Sequence, residues 1–251
     1  MLPGTQGSFR LFTLFGVEVR LHWLWIAFAV FAVDRSHEYS SSRWAVAEYL
    51  SLFAIVLMHE FGHALACRSV GGKADRIILW PLGGVAFVSP PMRPGATLWS
   101  IAAGPLVNVA LVPVTLGMVF AYMTVPMGQR QPDIARFVTS VAYINGALLV
   151  FNLLPIYPLD GGQILQSILW FFMGFARSLR FVSVIGLVVA VAGGAFMLFQ
   201  GNYWLVIMAV FIGWQAWSGY RLAGAILRAQ AEQAQAIAAA HAVREPWDQP
   251  A

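Results

Sequence analysis

Long apolar runs, separated by short polar segments, make up most of the chain between residues 17 and 222. A helix that spans a lipid bilayer needs about 20 mostly apolar residues, so each long run is a candidate span. The pattern predicts about six spanning helices. Their expected ranges are 17–33, 45–68, 97–121, 137–158, 181–199 and 203–222. The predicted fold class is therefore an all-α polytopic membrane protein.

Three segments depart from this simple helical pattern. Residues 9–20, FRLFTLFGVEVR, partly alternate around Gly16 and favour either a small β-hairpin at the membrane surface or the start of the first helix. Residues 77–88, between helices 2 and 3, indicate either two short strands around a Pro/Gly turn or a re-entrant loop. Residues 163–176 are apolar again, and either continue the fourth helix or lie at the membrane interface.

Composition supports a membrane location and excludes other classes. Of the 251 residues, 59% are hydrophobic and 10% are charged, against about 25% charged residues in a soluble domain. The formal net charge of +4 does not indicate nucleic-acid binding, because the basic residues lie between apolar segments, where they act as topology signals. The single cysteine, Cys67, excludes an internal disulfide.

The basic residues also predict the orientation of the chain. With six crossings, most of the 15 Lys and Arg residues fall on the face that carries both termini. The positive-inside rule then predicts cytoplasmic termini in a cell membrane, which we expect to be a bacterial inner membrane. Residues 1–222 are the predicted membrane core, and residues 223–251 form an Ala/Gln-rich, helix-prone cytoplasmic tail that Pro246 ends.

The segment LMHEFGHALA, residues 57–66, places chemistry inside an apolar helix. His59 and His63 are one helical turn apart and project from the same face, so they are suited to bind one Zn²⁺. Glu60 lies about 100° round the helix, beside the metal, where a general base belongs. Ionisable residues within membrane helices are costly and usually functional, so this pattern predicts a catalytic metal site.

Catalytic zinc usually has three protein ligands, so a third donor is needed. Few acidic residues lie in or near the predicted spans, and Asp160 follows a broken helix in FNLLPIYPLDGGQ, residues 151–163. Helices 2 and 4 run in the same direction in this topology, so Asp160 is expected at the depth of the two histidines. The alternative is that LDGG is an ordinary helix-ending turn.

These residues together resemble the site-2 protease family of intramembrane zinc metalloproteases. The resemblance rests on HEFGH and NLLPIYPLDGG, with GPLVN (104–108), WPLGGVAFV (80–88) and VRLHW (19–23) in support. It implies one Zn²⁺ per chain, with His59, His63 and Asp160 as ligands and Glu60 as the catalytic base. The PDZ and CBS modules of many relatives do not fit in the gaps, so we expect a near-minimal core.

The resemblance also suggests where substrate binds. It gives Asn152 a role near the scissile carbonyl, as an oxyanion donor. The segment 77–88 is expected to pair with an extended substrate by strand addition. The candidate substrate-binding or oxyanion residues are Asn152, Gly83, Gly84, Val85 and Asn108.

The implied function is hydrolysis of peptide bonds in or near transmembrane segments of membrane-tethered proteins, known as regulated intramembrane proteolysis. The expected partners are those substrates, the lipid bilayer and a regulatory membrane protein, with no nucleic acid. The alternatives are a metal-binding membrane transporter and a relative that binds membrane proteins without cleaving them. Cys67 is expected to be a buried structural thiol, and His22 a hydrogen-bonded interfacial residue.

Overall fold

A computed structural model describes residues 7–34, 39–80 and 83–244. The chain divides into two compact units, residues 1–154 and 155–251. The first unit contains the strands β1 (Ser8–Leu14), β2 (Val17–His22), β3 (Lys73–Trp80) and β4 (Gly83–Ser89), and the helices α1 (Trp23–Asp34), α2 (Ser42–Ser69), α3 (Pro94–Met123) and α4 (Pro132–Leu153). The second unit contains α5 (Asp160–Met173), α6 (Phe175–Phe199) and α7 (Tyr203–Arg244).

Two of the three segments that departed from the simple helical pattern, 9–20 and 77–88, form hairpins. Within the described residues they join into one four-stranded sheet, in the order β1-β2-β3-β4. The central pair, β2 and β3, is parallel, and the two outer pairs are antiparallel. The fold is thus mainly helical, as expected, and the small β elements expected near the N-terminus and between helices 2 and 3 are parts of one sheet. Pro81 and Leu82, in the predicted turn of residues 77–88, lie outside the described residues.

Residues 17–22 form strand β2, not the start of a spanning helix. Val17 and Val19 are fully buried, whereas Glu18 and Arg20, which alternate with them, are partly exposed and form an ion pair of 2.7 Å. This alternation buries one face of a strand and would scatter the same residues around a helix. The first helix consequently begins at Trp23 and has only 12 residues.

Proline accounts for the end of the fourth predicted helix. Helix α4 ends at Leu153 and not at residue 158, because Pro155 lacks an N–H donor and disfavours helical geometry in the residue before it. The apolar residues 163–176 do not continue this helix. Residues 163–173 belong to the separate 14-residue helix α5, which begins at Asp160, and helix α6 begins after Gly174.

Four helices among the described residues are long and apolar enough to cross a membrane: α2, α3, α4 and α6. The chain is thus a multi-pass membrane protein, but the predicted number of six spans is not confirmed. Helix α7 contains the predicted span 203–222 and continues to Arg244. The predicted core–tail boundary at residue 222 lies within this helix and stays a prediction, and residues 245–251 of the tail lie outside the described part.

Helix α2 is the centre of the first unit. It packs against α1, α3 and α4 on the helical side and against β3 and β4 of the sheet. The core between helix and sheet includes Phe61 and Ala64 of α2, with Val19, Ile77 and Leu79 from the central strands. Because the HEFGH residues lie in the part of α2 that meets both the sheet and α3, their side chains are enclosed by protein.

Candidate metal centre

Helix α2 places two buried histidines side by side. His59 is 4% exposed and His63 is 6% exposed, and their rings meet edge to face with centroids 4.7 Å apart. The i, i+4 spacing puts both rings on one face of the helix, as the sequence predicted.

The protonation pattern of His63 follows from its hydrogen bond. Its Nδ1 atom lies 2.9 Å from the backbone carbonyl oxygen of Ser100, on α3. A carbonyl oxygen can only accept, so Nδ1–H must be the donor, and in the neutral ring Nε2 is then the acceptor nitrogen. This is the tautomer that a metal ligand of the Nε2 type requires.

The same tautomer is imposed on His59 by a side chain. Its Nδ1 atom lies 2.6 Å from Oδ1 of Asn108. The Asn108 amide is in turn oriented by Asn145 of α4, because Asn108 Nδ2 donates to Asn145 Oδ1 over 2.9 Å. The sequence analysis did not predict a role for Asn145 or Ser100. An Asn within an otherwise apolar helix was a signal for the former, whereas a backbone carbonyl leaves no signal.

The two acceptor nitrogens face a common point. The Nε2 atoms of His59 and His63 are 3.1 Å apart. Two nitrogen ligands of a tetrahedral zinc, each about 2.0–2.1 Å from the metal, lie roughly 3.3 Å apart. The lone pairs of two acceptor nitrogens at this distance repel each other unless both nitrogens bind the same cation. The two imidazoles therefore fit a zinc ion.

Glu60 is buried beside the histidines, with 6% exposure, and contacts strand β4. Its Oε2 atom accepts a hydrogen bond of 2.8 Å from the backbone N–H of Ala86. Gly84 allows this approach, because a Cβ atom at that position would come within 2.3 Å of Glu60 Cγ. The sheet thus fixes the position of the expected catalytic base.

Glycine is also required on the opposite side of the site. A Cβ atom at Gly104 of α3 would lie only 2.2 Å from His63 Nε2. The His63 ring therefore packs directly on the α3 backbone, at the first residue of the GPLVN motif. In that motif, Gly104 makes room for one histidine and Asn108 holds the other.

Strand β4 lies at the edge of the described sheet. The Ala86 N–H that reaches Glu60 points away from β3. N–H groups alternate between the two sides of an antiparallel strand, so those of Gly84 and Val88 share the outward direction and that of Val85 faces β3. One of these outward N–H groups binds Glu60, so this edge of the sheet borders the candidate site.

The other predicted residues lie on three different elements. Asn152 is half-buried near the end of α4, and Gly83 is the first residue of β4, with φ of 136°. Asp160 is half-buried and is the first residue of α5, in the second unit. The structure brings His59, His63 and Asn108 together in the first unit.

Cys67 and His22 have contacts that explain them structurally. The Cys67 thiol is fully buried and donates to the carbonyl oxygen of Lys73 over 3.4 Å. His22 is buried, accepts from the N–H of Leu24, and stacks on Trp80 with ring centroids 4.1 Å apart. These contacts agree with the structural roles expected for both residues.

Comparison with known proteins identifies the family. A family model described as Peptidase family M50 matches residues 47–132 and 112–198, which together exceed half of the chain. The chain belongs to peptidase family M50. The resemblance to the site-2 protease family that the motifs suggested is thereby confirmed, and the matched residues include His59, Glu60, His63 and Asp160.

Individual members of the M50 family give the same picture. The chain is 31% identical over 205 residues to zinc metalloprotease MJ0392 of Methanocaldococcus jannaschii, covering 82% of this chain and 58% of that protein. The solved structure of a site-2 protease from Methanocaldococcus jannaschii matches with a TM-score of 0.61 and 29% identity, over 85% of this chain and 95% of that one. The chain spans about half the length of the curated relatives it matches.

Proposed function

We propose that this M50 family member is a zinc-dependent intramembrane endopeptidase. It hydrolyses peptide bonds in or near transmembrane segments of membrane-tethered proteins, as in regulated intramembrane proteolysis. The observation that carries the proposal is the buried Glu60 carboxylate next to the His59–His63 pair, held by the edge of strand β4. Metal-assisted peptide hydrolysis uses metal ligands and a general base. The strand edge can bind an extended peptide by strand addition.

One zinc ion per chain is held by His59, His63 and Asp160. The imidazole tautomers and the Nε2 separation support the first two ligands. For Asp160, the support is its carboxylate oxygen as a donor, its place in the LDGG motif, and the need for a third ligand in a catalytic site. When bound, zinc supplies a Lewis acid that polarises a peptide carbonyl and lowers the pKa of water.

Glu60 acts as the general base and then as the general acid. Its carboxylate takes a proton from the attacking water and later delivers it to the leaving amide nitrogen. The Ala86 N–H fixes Oε2 and so orients the carboxylate. Asn152 supplies an amide N–H to the developing oxyanion, a role supported by its place in the FNLLPIYPLDGG motif.

The substrate binds as an extended strand. A helical substrate must first unwind, because its carbonyls are otherwise engaged in helix hydrogen bonds. The unwound segment lies along Gly83, Gly84 and Val85 and pairs with β4 by strand addition, for which Gly84 supplies an outward N–H. Asn108 was expected at the substrate, but its bond to His59 favours a role in holding that ligand.

The chain resides in a cell membrane, expected to be a bacterial inner membrane, with both termini in the cytoplasm. The concentration of basic residues on one predicted face supports this orientation. The apolar surfaces of α3 and α6 contact lipid, since each combines high hydropathy with little burial. A regulatory membrane partner would control access of substrate. Nothing in the charge distribution favours nucleic acid.

Two other functions would use the same histidines differently. A metal-transporting membrane protein would bind zinc but would not need Glu60 beside it, held at a strand edge. A relative that binds membrane proteins without cleaving them would have no use for a general base. The position of Glu60 in the site favours proteolysis over both alternatives.

The test compares the wild-type chain with Glu60→Gln in cells and after purification. Mass spectrometry of membrane proteins should find cleaved products only with the wild-type chain, and metal analysis should find about one zinc per chain in both. Asp160→Ala and His59→Ala should each lose zinc and cleavage together. Identical cleavage products with wild type and Glu60→Gln would refute the proposed activity, and full zinc in Asp160→Ala would remove that residue from the ligands.

A further inference from the structure

Two fully buried asparagines connect three helices beside the metal site. Asn108 of α3 and Asn145 of α4 both have 0% exposure, and Asn108 contacts His59 of α2. Burying amides within membrane helices costs free energy unless their donors and acceptors are satisfied. The pair therefore needs a physical explanation, which the pattern of hydrogen bonds provides.

The hydrogen bonds fix the orientation of each amide in turn. Asn145 Nδ2 donates to the backbone carbonyl oxygen of Asn108 over 3.1 Å. Because that oxygen can only accept, the atom of the Asn145 amide that faces it must be Nδ2. The other amide atom, Oδ1, is then the one that faces the side chain of Asn108. Asn145 Oδ1 in turn accepts from Asn108 Nδ2 over 2.9 Å, so Oδ1 of Asn108 is the atom that faces His59.

The Asn108 amide decides which ring nitrogen of His59 carries the proton. With Oδ1 of Asn108 as its partner, His59 must donate from Nδ1, so Nε2 is its acceptor nitrogen. If the Asn108 amide were reversed, its Nδ2 would face His59. Nδ1 would then have to accept, and the neutral ring would carry its proton on Nε2, where it blocks metal binding.

We infer that Asn145 is a positioning residue of the metal site, which acts through Asn108 to hold His59 in the tautomer that binds zinc. This inference rests on the proposed role of His59 as a zinc ligand. Partners of metal-bound histidines that lie outside the ligand set typically contribute about 10–100-fold to metal affinity. Asn145 is one residue further from the metal and is expected to act in the same range, since its two hydrogen bonds fix the Asn108 amide.

The zinc dissociation constant of detergent-purified protein, from chelator competition, provides a readout that does not depend on activity. Asn145→Leu removes both hydrogen bonds to Asn108 and should weaken zinc binding about 10–100-fold. Asn145→Ser should give a similar loss, since the serine hydroxyl is too short to replace the amide, and it keeps the test valid if leucine disturbs folding. Val141→Ala, on the same buried face of α4, controls for lost packing and should bind zinc normally.

The decisive comparison repeats Asn145→Leu in an Asn108→Asp background. A carboxylate has only acceptor oxygens, so it presents an acceptor to His59 Nδ1–H however it rotates. In this background Asn145→Leu should change zinc affinity by less than about threefold, because no amide is left to orient. Equal losses in both backgrounds would overturn the inference and leave the proposed function intact. Zinc binding that survives His59→Ala unchanged would overturn the ligand assignment, and this inference with it.

Discussion

His59, Glu60 and His63 each have a defined partner outside helix α2: Asn108, Ala86 and Ser100. These contacts hold the rings and the carboxylate in place before any substrate arrives. Preorganised groups of this kind avoid a reorganisation cost during the reaction. Because an apolar residue would serve the stability of a membrane helix better, the buried polar groups of α2 support the catalytic role proposed for them.

The first residue-scale prediction separates metal binding from catalysis. Glu60→Gln keeps the size of the side chain and an oxygen that can accept from Ala86 N–H, but it removes the basicity. We expect about one zinc per chain and a loss of cleavage of at least about 10²-fold. Zinc is measured by metal analysis and cleavage with a purified membrane substrate. Glu232→Gln, an exposed change on α7, is the control, and an active Glu60→Gln would disprove the general-base role.

The second prediction concerns the glycine that packs on His63. Gly104→Ala should displace the imidazole, because the added methyl group would lie 2.2 Å from Nε2, and zinc affinity should fall by at least about tenfold. Gly117→Ala on the same helix meets no atom within 4 Å, so it should leave zinc affinity unchanged and stabilise α3 by about 0.5–1 kcal/mol. Similar zinc affinity in the two variants would contradict the described packing of His63.

At the scale of elements, strand β4 links the sheet to helix α2. One side of β4 is paired with β3, and an N–H on its other side holds Glu60. A substrate strand added at this edge would lie next to the base. The sheet therefore contributes to the site in addition to covering one side of α2.

Proline substitutions distinguish the two sides of β4. Ala86→Pro removes the donor to Glu60 but no bond to β3, and proline is tolerated at the outward side of an edge strand. We expect retained zinc, a nearly unchanged melting temperature and about 10²-fold slower cleavage, as for other misplaced catalytic groups. Val85→Pro removes a donor that faces β3 and should lower the melting temperature. Normal cleavage by a folded Ala86→Pro variant would show that the Ala86 N–H is not needed to orient Glu60.

At the scale of the whole molecule, the spans and the sheet imply an orientation that can be measured. Basic residues are concentrated on the face that the positive-inside rule assigns to the cytoplasm. The loop that carries β3 and β4 follows helix α2 and should lie on that face. The segments before α2 and α4 should lie on the opposite face.

Cysteine labelling tests this orientation in a Cys67→Ser background, which removes the single native cysteine and keeps a donor for Lys73. New cysteines replace three exposed residues, Ser42, Asp75 and Gln131. An impermeant thiol reagent added outside intact cells should label Ser42→Cys and Gln131→Cys but not Asp75→Cys. Labelling of Asp75→Cys from outside would reverse the proposed topology. Gly72 is unsuitable as a probe, because a Cβ atom there would lie 2.5 Å from Cys67 Sγ.

The sequence by itself determined the features that depend on local spacing. Apolar runs indicated a membrane protein, although two of the six predicted spans are not among the candidate spans of the described residues. The HEFGH spacing placed His59 and His63 on one helical face with Glu60 beside them, because helical periodicity is a property of neighbouring residues. Alternation around Gly16 indicated a hairpin as one of two alternatives, and the structure selected it.

Only the tertiary structure decided which distant groups meet. It joined two hairpins into one sheet, with Glu60 held at the edge by Ala86, and it placed Asn145 where it orients Asn108. The bonds from His63 to Ser100 and from Asn108 to Asn145 each connect residues 37 positions apart. Hydrogen bonds across that separation leave no periodic signal in the chain, because they depend on how helices and strands pack and not on the order of neighbouring residues.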